Sequence, residues 1–491
     1  MILSKQKKKI LAGIGLFVFT AGCIALLYSV VKSGYYFQFN PDELFNTNTV
    51  YLILKGYQPY VDFYTVYSPL LHWLLTPLFL IYGITFEAVY ASRILMIFLY
   101  IVRLFLLFLL VKRVFNYRAA LISVLFFMLD PFMVFSAMQI RPDNLMLAFY
   151  TLFLLLFSYT IESKSAKRWF VSGLLLGLTL LINIKIVPSV GVFGLIFLYI
   201  IIKKRLYPQL LLFANGFCLI FLAFFAYFLI QGYVVEMFLH VFLDPFKLNN
   251  SIPFPTWLGY FYFSNPTIFG IDGKPLNWMF AWALPVMAFA GGYRSLFDAK
   301  RETDNAHYLK IILFLSLVIQ WLSMLFIHSV FIQYYLPLNW LYAVFAAVLV
   351  DDLIFKIDMP RIVKAGTVVL TVGIVAFLIK TSITANLNRS QWRPDQQIQE
   401  WQAIWKEIPE NNPAFPNVLF RKPIYPVLWG STFSQYMRDR YPPAYLAIKK
   451  YNIPIMFLLN DEYFGYLDKE SQDYIIQHYR REDGNIWRKV K

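Results

Sequence analysis

The chain has 491 residues, of which 59% are hydrophobic and 19% aromatic, and only 15% are charged, against roughly 25% in a soluble globular protein. That balance excludes an ordinary soluble enzyme, a disordered chain and a collagen-like repeat. The formal charge of +16 would suggest nucleic acid in a soluble domain, but apolar runs of about 20 residues recur along the chain, and membrane proteins keep surplus Lys and Arg in cytoplasmic loops. No nucleic-acid partner is expected.

In chain order, Lys5, Lys7, Lys8 and Lys9 precede an apolar run at 10–31. It continues too far past Cys23 to be a signal core and reads as a retained first helix. Further runs lie at 88–111, 118–137, 144–161, 169–187, 189–202, 209–230, 276–292, 309–327, 335–354 and 363–381, giving about eleven spans. Cys23 and Cys218 fall inside such runs and provide neither a disulfide framework nor a thiolate metal site.

A shorter run, PLLHWLLTPLFLIYG at 69–83, decides the topology. If it does not cross, the basic clusters at Lys112/Arg113/Arg118, Lys164/Lys167/Arg168, Lys203/Lys204/Arg205, Arg294/Lys300/Arg301/Lys310 and Lys356/Arg361/Lys364 share the side of the N-terminus. The positive-inside rule makes that side cytoplasmic. The run is therefore read as a juxtamembrane or re-entrant helix in the first outer loop, with the C-terminus outside. The expected architecture is an all-α polytopic membrane domain over 1–381 and a small extracytoplasmic α/β domain over 382–491. In the latter, DQQIQEWQAIWKEI places Ile398, Trp401, Trp405 and Ile408 on one helical face, while IPIMFLLND and NIWRKV read as strands around a helix at SQDYIIQHYR.

Ionisable residues near hydrocarbon are costly, so those at the outer helix ends need a reason. The densest set is the loop from Asn40 to Trp73, which opens with Asp42 and Glu43. Adjacent carboxylates raise each other's proton affinity, which suits a general base for an acceptor hydroxyl; a helix start is the alternative for Asp42. Tyr60, Asp62, Tyr67 and His72 in the same loop are candidates for lining the substrate. Arg141 and Asp143, in QIRPDNLM, suit a phosphate clamp or a structural salt bridge. Lys185 is a lone cation at the outer end of an apolar helix, and snorkelling is its alternative. His328, Gln333, Tyr334 and Tyr335 form a further polar rim. Two acids, an Arg, a Lys and tyrosines at head-group depth suit a lipid-phosphate substrate.

At these residues the chain resembles the GT-C class of lipid-phosphosugar-dependent glycosyltransferases, in particular the protein O-mannosyltransferase and aminoarabinose-transferase-like superfamily. The resemblance rests on the first-loop Asp42-Glu43, GYQPYVDFYTVYSPLLHW, FEAVYASR, Arg141-Pro142-Asp143 and the Gly173/Gly177 to Lys185 run, and it covers roughly residues 35–200. It implies an integral-membrane enzyme of the bacterial cytoplasmic membrane that moves a sugar from a polyprenyl phosphate to a glycan, lipid or protein acceptor, with inversion. Carried over by position, the resemblance makes Asp42 the catalytic base with Glu43 beside it and Asp143 the second-loop acid. It makes Lys185, Arg141 and Tyr335 the phosphate contacts. It also implies a metal-independent enzyme with no cofactor, although a divalent cation beside Asp42 and Glu43 is chemically open. Tyr67-Ser68-Pro69-Leu70 lacks the Glu-Lys pair that aminoarabinose transferases place before this proline, and the outer loop at 231–275 is too short for the β-trefoil of the protein mannosyltransferases. Neither specific role is implied. The competing readings are a lipid-linked sugar flippase or transporter, and a surface-polysaccharide ligase.

Overall fold

The computed structural model describes residues 5–130, 133–134, 136, 138–250, 279–297, 304–327, 332–357, 360–408, 410, 414–415, 418–424, 442–458, 464–465, 467–482 and 486–490. The outer loop from 251 onward, Lys300, Arg301 and His328 lie outside the described residues.

The apolar runs fold as helices. In chain order they are α1 (Lys5–Tyr36), α2 (Pro41–Leu54), α3 (Leu70–Tyr82), α4 (Phe86–Val114), α5 (Tyr117–Leu129), α6 (Pro142–Thr160), α7 (Ala166–Ile182), α8 (Val187–Lys204) and α9 (Tyr207–Gln231). After α10 (Val234–Phe238) and α11 (Asp244–Asn250) come α12 (Leu284–Phe297), α13 (Asp304–Ser323), α14 (Leu336–Asp351) and α15 (Arg361–Arg389). Among the described residues eight helices are long and apolar enough to cross a membrane. Of the other three expected spans, α5 and α7 are helices of 13 and 17 residues and α12 one of 14.

Helix α3 does not run from one end of the bundle to the other. His72 near its start bonds Asn46 of α2, and Phe79 near its end lies 6.0 Å from Phe420 of the C-terminal module. Both ends therefore touch elements on one face, which fits the juxtamembrane reading. At the opposite end of the bundle, Arg118 and Asn116 hold Asp351, and Arg294 and Lys356 hold Asp352. The two faces thus have different chemistry, one rich in basic side chains and the other carrying α2, α3 and the C-terminal module.

Packing between α6 and α9 is dominated by rings. Phe153, Phe157, Trp169, Phe193, Phe197 and Phe213 meet with centroids 4.7–6.5 Å apart, many edge to face, as ring quadrupoles favour. Helices α7 and α9 approach more closely, because a small residue lets two backbones touch. A Cβ on Gly173 would meet the Phe213 carbonyl oxygen at 1.9 Å, and one on Gly216 would meet that of Phe170 at 2.0 Å.

The C-terminal module follows without a break. α15 continues to Arg389, so the boundary expected at 382 falls inside a helix. The polar run after 381 resembles a linker in composition, but Asn386 donates to Ser29 Oγ at 3.2 Å and Arg389 is buried, so tertiary contacts extend the helix. Beyond it come α16 (Asp395–Glu407), α17 (Ala444–Lys450), β1 (Ile455–Phe457), α18 (Lys469–His478), β2 (Tyr479–Arg481) and β3 (Ile486–Lys489). The strands form an antiparallel sheet in the order β1-β3-β2, with Met456 opposite Trp487. Trp401 and Ile404 of α16 are buried and Ile398 and Trp405 pack beside them, on the face expected from the sequence. This core continues into the membrane domain, while Phe415, Ile448, Met456 and Ile475 build a second core under the sheet.

Gly173→Val and Gly216→Val should each lower stability by about 1–3 kcal/mol or more, since a backbone carbonyl cannot turn aside. Melting followed by fluorescence-detected size exclusion in detergent checks this, with Gly366→Val, whose Cβ would meet nothing within 4 Å, as the unaffected control.

Candidate active site

Helix α2 begins with a capping box. The Asn40 side chain accepts the Asp42 N–H at 2.9 Å, and Glu43 Oε2 accepts the Asn40 N–H at 3.0 Å, with Pro41 in the first turn. The cap belongs to Asn40, which leaves the Asp42 carboxylate free to point elsewhere. It meets Arg141 Nη1 at 2.5 Å and is about one-third exposed, 32%.

Glu43 has the opposite surroundings. It has no exposure; Arg93 Nε donates to Oε1 at 2.9 Å and Nη2 to Oε2 at 2.6 Å, and the Ile140 N–H reaches Oε1 at 3.3 Å. The remaining Arg93 donors go to the Tyr35, Phe37 and Gln38 carbonyls at the end of α1. A carboxylate spent in this way is not free to take a substrate proton. The expected catalytic role of Glu43 is therefore revised to holding α1, α2, α4 and the 139–141 segment together.

Arg141 is the N-cap of α6. It donates through Nε to Gln139 Oε1 at 2.6 Å and through Nη2 to Asn40 Oδ1 at 3.2 Å. It does not pair with Asp143, the alternative open from the sequence. Buried Asp143 instead accepts from Lys185 Nζ at 2.8 Å. Lys185 reaches it because the chain between α7 and α8 turns through a short 3-10 segment, Ile184–Ile186, capped by Asn183 Oδ1 on the Lys185 N–H at 3.1 Å. Gln320 of α13 steadies that turn by donating to the Lys185 carbonyl at 3.2 Å. The Lys185 ammonium lies 4.3 Å from the Tyr334 ring centroid. Tyr335, the expected contact, neighbours Tyr342. The snorkelling reading of Lys185 does not describe this place, since its partner is a buried carboxylate.

Tyr67 lies within electrostatic reach of both pairs. Burial first, then the charges of Asp42 and Asp143, hold its hydroxyl well above the usual phenol range, with Arg141 and Tyr334 as further neighbours. It is a protonated donor at neutral pH. Tyr60 supports it from below, with its hydroxyl donating to the Tyr67 carbonyl at 2.8 Å. Tyr60 adopts φ +71°, a conformation that costs a non-glycine residue energy and that surrounding contacts must enforce.

Three of the expected substrate-lining residues have other duties. Tyr60 is buried against Phe228 and His240. Exposed Asp62 closes the 58–62 turn by accepting the Gln58 N–H at 2.7 Å. His72 is fully buried and its Nε2 bonds Asn46 Oδ1 at 3.0 Å, fastening α3 to α2, while Asn46 Nδ2 donates to the Asp42 and Ile140 carbonyls. Of that set only Tyr67 stands beside the paired charges. Asn40, Arg93 and Gln320 were not selected by sequence reasoning, and Tyr334 was placed only in the polar rim. The one local signal was Arg93, a cation eight residues into an apolar span. Among the described residues no three His, Cys, Asp or Glu side chains gather as metal ligands.

Known proteins share the fold. The family model for dolichyl-phosphate-mannose-protein mannosyltransferase matches residues 66–230. The structure is similar to that of ArnT from Cupriavidus metallidurans bound to undecaprenyl phosphate, with a TM-score of 0.60 at 12% identity over 97% of both chains. It is also similar to the oligosaccharyltransferase AglB from Archaeoglobus fulgidus in complex with an inhibitory peptide and a dolichol-phosphate, with a TM-score of 0.53 at 12% identity over 97% of this chain and 75% of that one. No curated protein sequence matches the chain.

Burial holds the His72 pKa down at about 3 against 6.5 for the free side chain. Below pH 6.5 the unfolded chain takes up a proton that the folded one refuses, so this site destabilises the fold as pH falls from 6.5 towards 3, by up to about tenfold in the folding equilibrium per pH unit. His72→Gln should flatten that limb of a melting-temperature-against-pH curve; an unchanged curve would assign the acid sensitivity elsewhere.

Proposed function

We propose that this chain, which has the fold of the GT-C membrane glycosyltransferases, transfers a sugar from a polyprenyl-phosphate donor to an acceptor hydroxyl. The observation that carries the reading is the meeting of Asp42–Arg141, Asp143–Lys185 and Tyr67 at one end of the bundle. The partial match to a dolichyl-phosphate-sugar transferase family and the likeness to proteins solved with undecaprenyl phosphate and dolichol-phosphate support it.

In the proposed reaction the phosphate lies against Lys185 and Arg141, with the Tyr67 hydroxyl as a further donor. The acceptor oxygen attacks the anomeric carbon as the bond from that carbon to the phosphate oxygen breaks. Asp42, the most accessible of the three carboxylates, takes the acceptor proton, and the lipid phosphate leaves with the bonding pair and its charge held by the two cations. One displacement inverts the anomeric centre. The reaction needs only these side chains and is written without a metal or other cofactor.

Orientation follows from charge. Arg118, Arg294 and Lys356 pair with Asp351 and Asp352 at the end of α14 remote from the site, and with the neighbouring Lys112, Arg113, Lys203 and Lys204 they support, by the positive-inside rule, an extracytoplasmic site and C-terminal module and a cytoplasmic N-terminus. A bacterial cytoplasmic membrane is the setting proposed. A transporter would carry its charges at mid-membrane between broken helices, whereas these sit at helix ends, which favours the transferase over the flippase.

Purified protein in nanodiscs, given radiolabelled polyprenyl-phosphate sugars and a candidate acceptor glycan or lipid, should release polyprenyl phosphate. Asp42→Asn should reduce that release by about 10²–10⁴-fold while the protein still melts cooperatively. Wild-type rates in that variant would refute Asp42 as the base. Lys185→Ala should raise the donor KM by about tenfold or more, as loss of a charge-assisted contact does, with acceptor KM unchanged.

A further inference from the structure

Away from the paired charges, the C-terminal module and the far end of α2 together line an open cavity. Its volume is about 220 Å³, and Tyr51, Lys55, Tyr57, Glu410, Lys422 and Tyr451 form most of its wall, with Ile424 its one aliphatic member. Lys55 Nζ bridges to Glu410 Oε1 at 2.6 Å, and Lys422 Nζ stands 4.4 Å from the Tyr57 ring centroid. Burial, and next the charge of Glu410, raise the Tyr51 hydroxyl to about 12, which keeps it a donor at neutral pH. Two ammoniums against one carboxylate leave one positive charge facing the cavity.

The backbone around it is already committed. The Lys55, Gly56 and Tyr57 N–H groups donate to the Tyr51, Ile53 and Leu52 carbonyls, and Ala414 pairs with the Lys422 carbonyl and the Ile424 N–H. Among the described residues these groups offer no free edge to an added peptide strand. Recognition is left to hydroxyls, ammoniums and a carboxylate set among ring faces, a chemistry that suits a ligand rich in hydroxyls and carrying negative charge. Distance adds a second constraint. Lys55 follows Asp42 by 13 residues along α2, about 20 Å at the helical rise of 1.5 Å. A ligand seated in the cavity that also presents a hydroxyl at Asp42 is therefore an oligomer.

We propose that this cavity binds an acidic stretch of an oligosaccharide acceptor, several units from the sugar that receives the transfer. Its assignment to the acceptor rests on the transferase reading above, whereas the binding itself does not. A sugar carboxylate pairs with Lys422, the ring hydroxyls with Tyr51 and Glu410, and Tyr451 closes the rim.

Titration calorimetry of the full chain in nanodiscs, with no donor present, tests this with tetragalacturonate as the probe and maltotetraose and tetraglutamate as comparators. Tetragalacturonate should bind best. Lys422→Ala should weaken it roughly tenfold, the worth of one charge-assisted hydrogen bond; Lys422→Arg should restore it, and Tyr451→Ala should weaken it without lowering the melting temperature. No binding, equal binding of either comparator, or an affinity unchanged in both Lys422→Ala and Tyr451→Ala would each overturn the proposal. Because no sugar is transferred in this measurement, failure of the transferase reading would leave its result intact, and the two failures are told apart.

Discussion

The buried pair of Arg93 and Glu43 is the contact on which the remaining architecture of the site depends. A guanidinium inside an apolar helix is costly unless it is paired and hydrogen-bonded, and here its donors go to both Glu43 oxygens and to three carbonyls at the end of α1. Satisfying one cation thereby fixes the entry of α2 against α1 and α4. Asp42 precedes Glu43 by a single residue and so inherits that placement. Two neighbouring acids that look equivalent in sequence are thus divided by burial into an anchor and an accessible carboxylate.

The C-terminal module is part of the same construction. Trp405 stacks on Phe86 at 5.2 Å and on Phe420 at 5.6 Å, the Phe420 N–H donates to Asn48 at 2.7 Å, and Gln397 exchanges hydrogen bonds with the Phe39 backbone. These contacts fall on α2, its entry and the start of α4, so the module packs on the elements that hold Asp42. Separation by composition at residue 381 does not correspond to separation in space.

What the sequence made legible was whatever hydropathy and local charge encode: the order of the apolar helices, the α16 face and the strands β1 and β3. The acidic and basic residues of the site were legible too, because an ionisable side chain at the end of an apolar run is conspicuous. Their partners were not. Arg141 binds Asp42 across a hundred residues and Lys185 binds Asp143 across forty, and no local pattern specifies such a choice. His72 and Tyr60 have the composition of ligand contacts, yet only the fold shows that Asn46 and the Tyr67 carbonyl already occupy them. Tyr334 and Tyr335 are indistinguishable in sequence; the 3-10 turn at Ile332–Tyr335 decides which ring faces the lysine.

The crosswise pairing has a consequence for the proposed transferase at a lipid surface. Anionic phospholipid head groups are abundant at a membrane surface, and an open Arg–Lys pocket would collect them indiscriminately. Here each cation already holds a resident carboxylate, so in the proposed reaction a phosphate at Arg141 or Lys185 competes with Asp42 or Asp143 for it. The two acids act as tethered competitors that ordinary head groups must outbid, and a ligand that also occupies the rest of the site has the larger binding energy with which to do so.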